Sequence, residues 1–173
     1  MPNEDVRPVL IKLIGALDKA ISYEYNAMRF YSNAAREIKS DPCRRIFEWL
    51  AEFEENHFKS LVKKRNEMAR HPSISKSLKV PDFDRDLAET GSEFRMDICL
   101  PGSEMLRTAI KNEKRMYAFY TKKSLMAIDD SLKAMLLRFA DEEDRHMNIL
   151  KRLLHMLDVG EESSKLDLKK MLN

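Results

Sequence analysis

The sequence predicts an all-α domain of four long helices, joined as two hairpins and running up-down-down-up. Three observations predict it. Charged residues make up 35 % of the chain while Gly and Pro together number only ten, the composition of a helix-rich protein. Apolar residues recur at spacings of three and four over long stretches. One offset of 89 residues carries the first half onto the second: Glu24 onto Glu113, Glu54 onto Glu143, His57 onto His146, and Ala20, Ile21, Phe30 and Tyr31 onto Ala109, Ile110, Phe119 and Tyr120. Each half is too one-sided to fold alone. Residues 1–173 therefore read as a single domain, long enough to bury a core.

Helix 1 is expected over residues 5–39, with Pro8 tolerated in its first turn. Val9, Leu10, Leu13, Leu17, Ala20, Ile21, Glu24, Met28 and Tyr31 form its apolar stripe, so Glu24 sits in the middle of a buried face. Helix 2 is expected over 42–70, with Asp41 as N-cap, Pro42 in the first helical position and His71-Pro72 as the stop. Its stripe holds Ile46, Phe47, Leu50, Phe53 or Glu54, His57, Leu61 and Met68. Glu24 lies 16 residues before Ser40 and Glu54 lies 14 after it. At a rise of about 1.5 Å per residue, the two carboxylates stand nearly level across an antiparallel hairpin. Glu113 and Glu143 repeat the 30-residue spacing.

Residues 71–101 have no helical period and contain Pro72, Pro81, Gly91 and Pro101. A link of about 30 residues is long for a compact domain. It fits a crossover running the length of a bundle, which makes helices 2 and 3 parallel. Helix 3 is expected over 102–127 with Ser103 as N-cap, and helix 4 over 130–158, with Asp130 repeating the cap Asp41 and Gly160 beyond the end. The tail, 159–173, carries Leu166, Leu168, Met171 and Leu172 and reads as a short C-terminal helix packed on the bundle or on a second subunit. The eleven Met residues read as core filler.

Several classes are excluded. The net charge is only +2 and the basic residues are interspersed with acids, so there is no electrostatic footprint for nucleic acid. Cys43 and Cys99 form no Cys-x-x-Cys pair, which removes zinc ribbons and thioredoxin-like motifs and fits a reducing compartment. The first residues lack the pattern of a secretory signal, and no run approaches the roughly 18 apolar residues of a membrane span. The expectation is a soluble cytoplasmic protein with neither membrane nor nucleic acid as partner.

A single Glu-x-x-His pair is compatible with a solvated pair on one helix face. With sixteen Glu and four His in the chain, chance supplies fewer than one; two occur, at a common offset, each with a further Glu 30 residues upstream. Four carboxylates facing one core would repel one another and lose their hydration, whereas two divalent cations bring +4 against −4. Hard oxygen ligands with one imidazole per metal suit iron or manganese. One Glu from each of two helices, plus Glu-x-x-His from each of the other two, is the di-iron or di-manganese carboxylate arrangement. Glu24 and Glu113 then bind one metal each, Glu54 and Glu143 bridge, and His57 and His146 complete each ion.

Glu142, four residues before His146, can also face it, but the offset maps Glu142 onto Phe53 and Glu143 onto Glu54. Glu52 and Glu55 fall on the exposed flank or just behind the ligands. Tyr31 and Tyr120, seven residues after a ligand Glu, either hydrogen-bond a carboxylate or stack in the core. His71 and His155 read as surface or cap residues. Trp49, whose place in the second half is taken by Arg138, reads as packing.

This ligand pattern resembles the rubrerythrin-type di-iron domain of the ferritin-like superfamily, over residues 5–158. The resemblance implies a ferritin-like four-helix bundle, a homodimer, and a non-haem di-iron oxidoreductase that reduces hydrogen peroxide or O2, with Tyr31 and Tyr120 tuning two bound Fe ions. It departs at two points. Rubrerythrins proper carry an additional Glu, linked to ligand exchange in their peroxidase activity, where this chain has Ile110. The Cys pairs of a rubredoxin-like site are missing, which implies electrons from an external donor protein. A ferroxidase or iron-storage protein is the alternative and requires many irons per chain. A di-iron hydroxylase of an organic or RNA substrate is the third reading and requires a substrate channel.

Overall fold

Helices α1 (Arg7–Glu37), α2 (Asp41–Ala69), α3 (Gly102–Ser124) and α4 (Asp130–Asp158) make up nearly all of the computed structural model, which describes residues 7–71 and 102–159. Among the described residues there is no strand. The expected crossover, from Pro72 onward, and the expected C-terminal helix lie outside the described residues.

Helix α2 starts one residue earlier than the sequence suggests, whereas α4 spans the expected 130–158. Asp41 and Asp130 are the first helical residues, not the caps. The residue before each takes the capping position: the carbonyls of Ser40 and Asp129 accept from the amides of Arg44 and Lys133, at 2.9 and 3.1 Å. The Asp129 carboxylate also accepts from the Leu132 amide at 2.8 Å, from an extended backbone. An acidic residue inside the first turn faces the positive end of the helix dipole, so Asp41 and Asp130 remain favourable one step further in. Asp41 also pairs with Arg44. The duplication thus includes the caps, displaced by one.

Helix α3 begins at Gly102, so Ser103 is helical and not the N-cap, and it ends at Ser124, three residues short of the expected end. The Ser124 hydroxyl donates to the Thr121 carbonyl at 2.8 Å, and the amides of Met126 and Ala127 reach back only three residues. Such tight turns close a helix. Leu125, at 81 % exposure, belongs to no apolar stripe. In α1 the buried stripe runs through Leu10, Leu13, Ile14, Leu17, Ala20, Ile21, Glu24 and Tyr31, and Val9 lies off it, exposed. Met68, Met105 and Met116 fill the core, whereas Met126 is exposed.

The described helices fall into two compact units. One joins α1 up to Asn26 with α2 from Glu54 onward. The other joins the rest of α1 and α2 to α3 and α4. The second unit holds a core drawn from all four helices: Phe30 to Ala35 of α1, Ile46 to Ala51 of α2, Met105 to Ala109 of α3 and Ile149 to Leu153 of α4. α1 and α4 end at this core, whereas α2 and α3 begin there. The order is therefore up-down-down-up, and α2 and α3 run parallel.

Two substitutions test this local account in opposite directions. Gly15 is exposed within α1, and a Cβ there meets nothing within 4 Å; Gly15→Ala should raise stability by about 0.5–1 kcal/mol. Asp129→Ala removes the α4 cap and should lower stability by about 1 kcal/mol. Both are read as shifts of the urea midpoint at unchanged slope.

Candidate metal centre

The periodicity of α1 and α2 places Glu24, Glu54 and His57 on buried faces of one unit; α3 and α4 do the same for Glu113, Glu143 and His146 in the other. None of the six is more than 3 % exposed. At the position left open between Phe53 and Glu54, Glu54 is the buried residue and Phe53 is half-buried.

Each unit gathers its three residues into a triad with similar nitrogen–oxygen separations. His57 Nδ1 lies 3.5 Å from Glu54 Oε2 and 3.7 Å from Glu24 Oε2. His146 Nδ1 lies 3.4 Å from Glu113 Oε2 and 3.7 Å from Glu143 Oε2. The ligand atoms within each triad stand within 4.8 Å of one another. These four nitrogen–oxygen separations exceed the 2.7–3.2 Å of an N–H···O hydrogen bond. Two donors each about 2.1 Å from one ion stand roughly 3 to 3.7 Å apart at ordinary coordination angles. The spacing therefore fits one cation per triad better than a direct imidazole–carboxylate bond. Two carboxylates and an imidazole form a hard donor set suited to iron or manganese.

The aromatic residues around the triads resolve one open alternative. The Tyr31 hydroxyl donates to Glu113 Oε1, and its ring packs against Phe30 and Phe47 at centroid distances of 5.3 and 5.9 Å. Tyr31 thus both bonds a carboxylate and stacks. Tyr120, also fully buried, packs edge-on against Phe119 and Phe139 at 5.5 and 5.4 Å. Glu52 is exposed, and Glu55 pairs with Lys59 at 2.7 Å. His71 and His155 are both exposed, away from any triad. Ile110 is partly buried and packs against the four-helix core of its unit.

Two features escape the sequence reading. Arg65, fully buried, donates from Nε to Asp18 Oδ1 at 2.9 Å, with Asp18 about one-third exposed. Stepping six residues back from Glu24 and eight on from His57 reaches this pair, so the antiparallel register that aligns the ligands also aligns it. Trp49 and Phe53 both meet the His146 ring, each at a centroid distance of 5.4 Å and nearly perpendicular. No repeat flags them, because the second half carries Arg138 and Glu142 in their places.

A model of the Rubrerythrin family matches residues 15–154. Among solved structures, the chain is similar to a hypothetical protein from Pyrococcus furiosus, with 24 % identity, TM-score 0.67, and coverage of 87 % of this chain and 92 % of that one. It is similar to a dodecameric thioferritin, the bacterioferritin-related protein of Bacteroides fragilis, with 19 % identity, TM-score 0.67, and coverage of 86 % and 88 %. It is also similar to ferritin-like, diiron-carboxylate proteins from Bacillus anthracis, with 22 % identity, TM-score 0.63, and coverage of 84 % and 97 %. These likenesses establish a ferritin-like fold. No curated protein matches the chain. No described helix is long and apolar enough to cross a membrane.

The contact between Tyr31 and Glu113 has a direct test. Tyr31→Phe keeps the packed ring but deprives a buried carboxylate of a donor, and should cost about 1–3 kcal/mol in the metal-free protein by urea denaturation.

Proposed function

Because the chain belongs to the rubrerythrin family, we propose that it is a non-haem di-iron oxidoreductase that reduces hydrogen peroxide or O2 with electrons from an external donor. The observation that carries the proposal is the pair of buried Glu, Glu, His triads, identical in composition and alike in spacing. The likeness to diiron-carboxylate proteins supports it.

In this reading Glu24, Glu54 and His57 would hold one iron, and Glu113, Glu143 and His146 would hold the other. Two divalent ions cancel four carboxylate charges that helix interiors would otherwise not tolerate. When bound, an iron pair supplies the two electrons that convert one peroxide to two waters. The protein's part is positioning. Tyr31 holds Glu113 by its Oε1 oxygen and leaves Oε2 toward His146; Tyr120 is its counterpart in the repeat. Ile110 brings an apolar side chain where rubrerythrins proper carry another Glu, so the set stays at six ligands. These residues contain no Cys-x-x-Cys pair, hence the external donor. The working unit is a cytoplasmic homodimer.

Iron storage by ferroxidation is the second reading, favoured by the likeness to a dodecameric thioferritin. Metal content separates the two. After anaerobic Fe(II) loading and removal of unbound iron, the oxidoreductase reading expects about two irons per chain, oxidised rapidly on one addition of hydrogen peroxide under an optical probe. Many irons per chain would favour storage, and none would sink both. Glu54→Ala should abolish iron binding and the rise in thermal midpoint that iron confers, while the metal-free variant, relieved of a buried carboxylate, should be at least as stable as the metal-free parent.

A further inference from the structure

The two triads match in composition, but the residues that meet the His146 imidazole do not repeat in the sequence. His146 is fully buried, yet its ring touches Trp49, which is itself half-buried and so reaches the protein surface. Trp49 and Phe53 also pack on each other, at a centroid distance of 4.4 Å. Half-buried indole, half-buried phenyl ring and buried imidazole therefore form one contiguous π-cluster, with Trp49 also packed on the four-helix core. The 89-residue repeat puts Arg138 and Glu142 at the corresponding places of α4. Arg138 is exposed, its guanidinium 5.2 Å from the Phe139 ring centre. Trp49 is the only Trp in the chain, and indole loses an electron far more readily than phenyl. Electron tunnelling falls off exponentially with distance, so a donor that cannot enter the core transfers best where a conjugated ring spans from solvent to ligand.

We propose that Trp49 is the port through which electrons cross between the protein surface and the metal on His146, and that it is the residue oxidised when no donor is present. The inference rests on the peroxide-reducing reading above. With a one-electron donor, two successive transfers through the port restore the two electrons that one peroxide has taken, and no bond of Trp49 forms or breaks. Without a donor, a further peroxide draws on the indole. The ring gains one oxygen from water and releases two protons and two electrons; the peroxide takes up both pairs and becomes two waters. The net change is one oxygen on Trp49 and one water from each peroxide so consumed.

The test uses the full chain loaded with Fe(II), its iron content measured first, then treated with a small excess of hydrogen peroxide with and without ascorbate as one-electron donor. Zn(II)-loaded protein is the redox-inert control. Peptide mass spectrometry reads oxygen uptake at Trp49 and at Met126, which is 40 % exposed; loss of tryptophan fluorescence reads Trp49 independently. Exposure alone would favour Met126, so the expected result is roughly tenfold more oxidation at Trp49 than at Met126, suppressed by ascorbate and absent with zinc. Oxidation of Met126 with Trp49 intact, or equal Trp49 oxidation with zinc, would overturn the port while leaving the iron site standing. A wild-type chain that binds no iron would overturn the proposed function and the port together. As a second arm, Trp49→Leu should keep its iron but be re-reduced by ascorbate several-fold more slowly than Trp49→Phe and wild type; an unchanged rate, or loss of iron, refutes the port.

Discussion

A carboxylate inside a helix-packed core is tolerated only when something compensates the hydration it has lost. Each triad buries two of them beside one imidazole, and most of what is distinctive in the chain follows from that load. It accounts for acidic residues in the middle of apolar stripes. It also accounts for donor atoms that stand near one another without closing to hydrogen-bond length. A hydrophobic core of the same volume would be easier to fold. Polar groups held this deeply are the mark of a site that a cation completes.

The duplication shows how such a load is distributed. Both halves use a carboxylate on the first helix of a hairpin and Glu-x-x-His on the second, with matching caps at Ser40 and Asp129. Where the halves differ, the differences lie around the ligands and not among them. The first unit has a fully buried arginine, Arg65, whose guanidinium meets Asp18; the position of Arg65 repeats as Leu154. In the second unit two aromatic rings meet the ligand imidazole. In the proposed di-iron reading, equivalent triads with unequal surroundings would let two metals of one kind differ in behaviour.

Helix existence, helix pairing and the burial of the six Glu and His residues were legible in the sequence because they repeat, and a repeat at one offset is hard to produce by chance. Helix ends were less legible. Asp41 and Asp130 look like caps, but capping depends on which residue leaves the helical backbone, and composition does not reveal that. Leu125 to Ala127 look like a continuing helix until the Ser124 hydroxyl and the short-range turn bonds close α3. The packing of Trp49 on the core was legible, but its contact with His146 was not: a search for shared positions discards the positions that differ. Arg65 was missed because cations are by default assigned to solvent, although the hairpin register points to Asp18.

The hydrogen bond from Tyr31 to Glu113 joins residues 82 apart in sequence, between the first helix of one hairpin and the first helix of the other. The turns within each hairpin are local and can form early, whereas this bond must wait for a long loop to close. Glu113 therefore takes its final orientation only after the hairpins have docked. In the proposed reading, ion capture by the second triad would belong at the end of the folding reaction: the nascent chain would reach a nearly complete architecture on its apolar contacts alone, and metal supply would govern maturation, not the choice of fold.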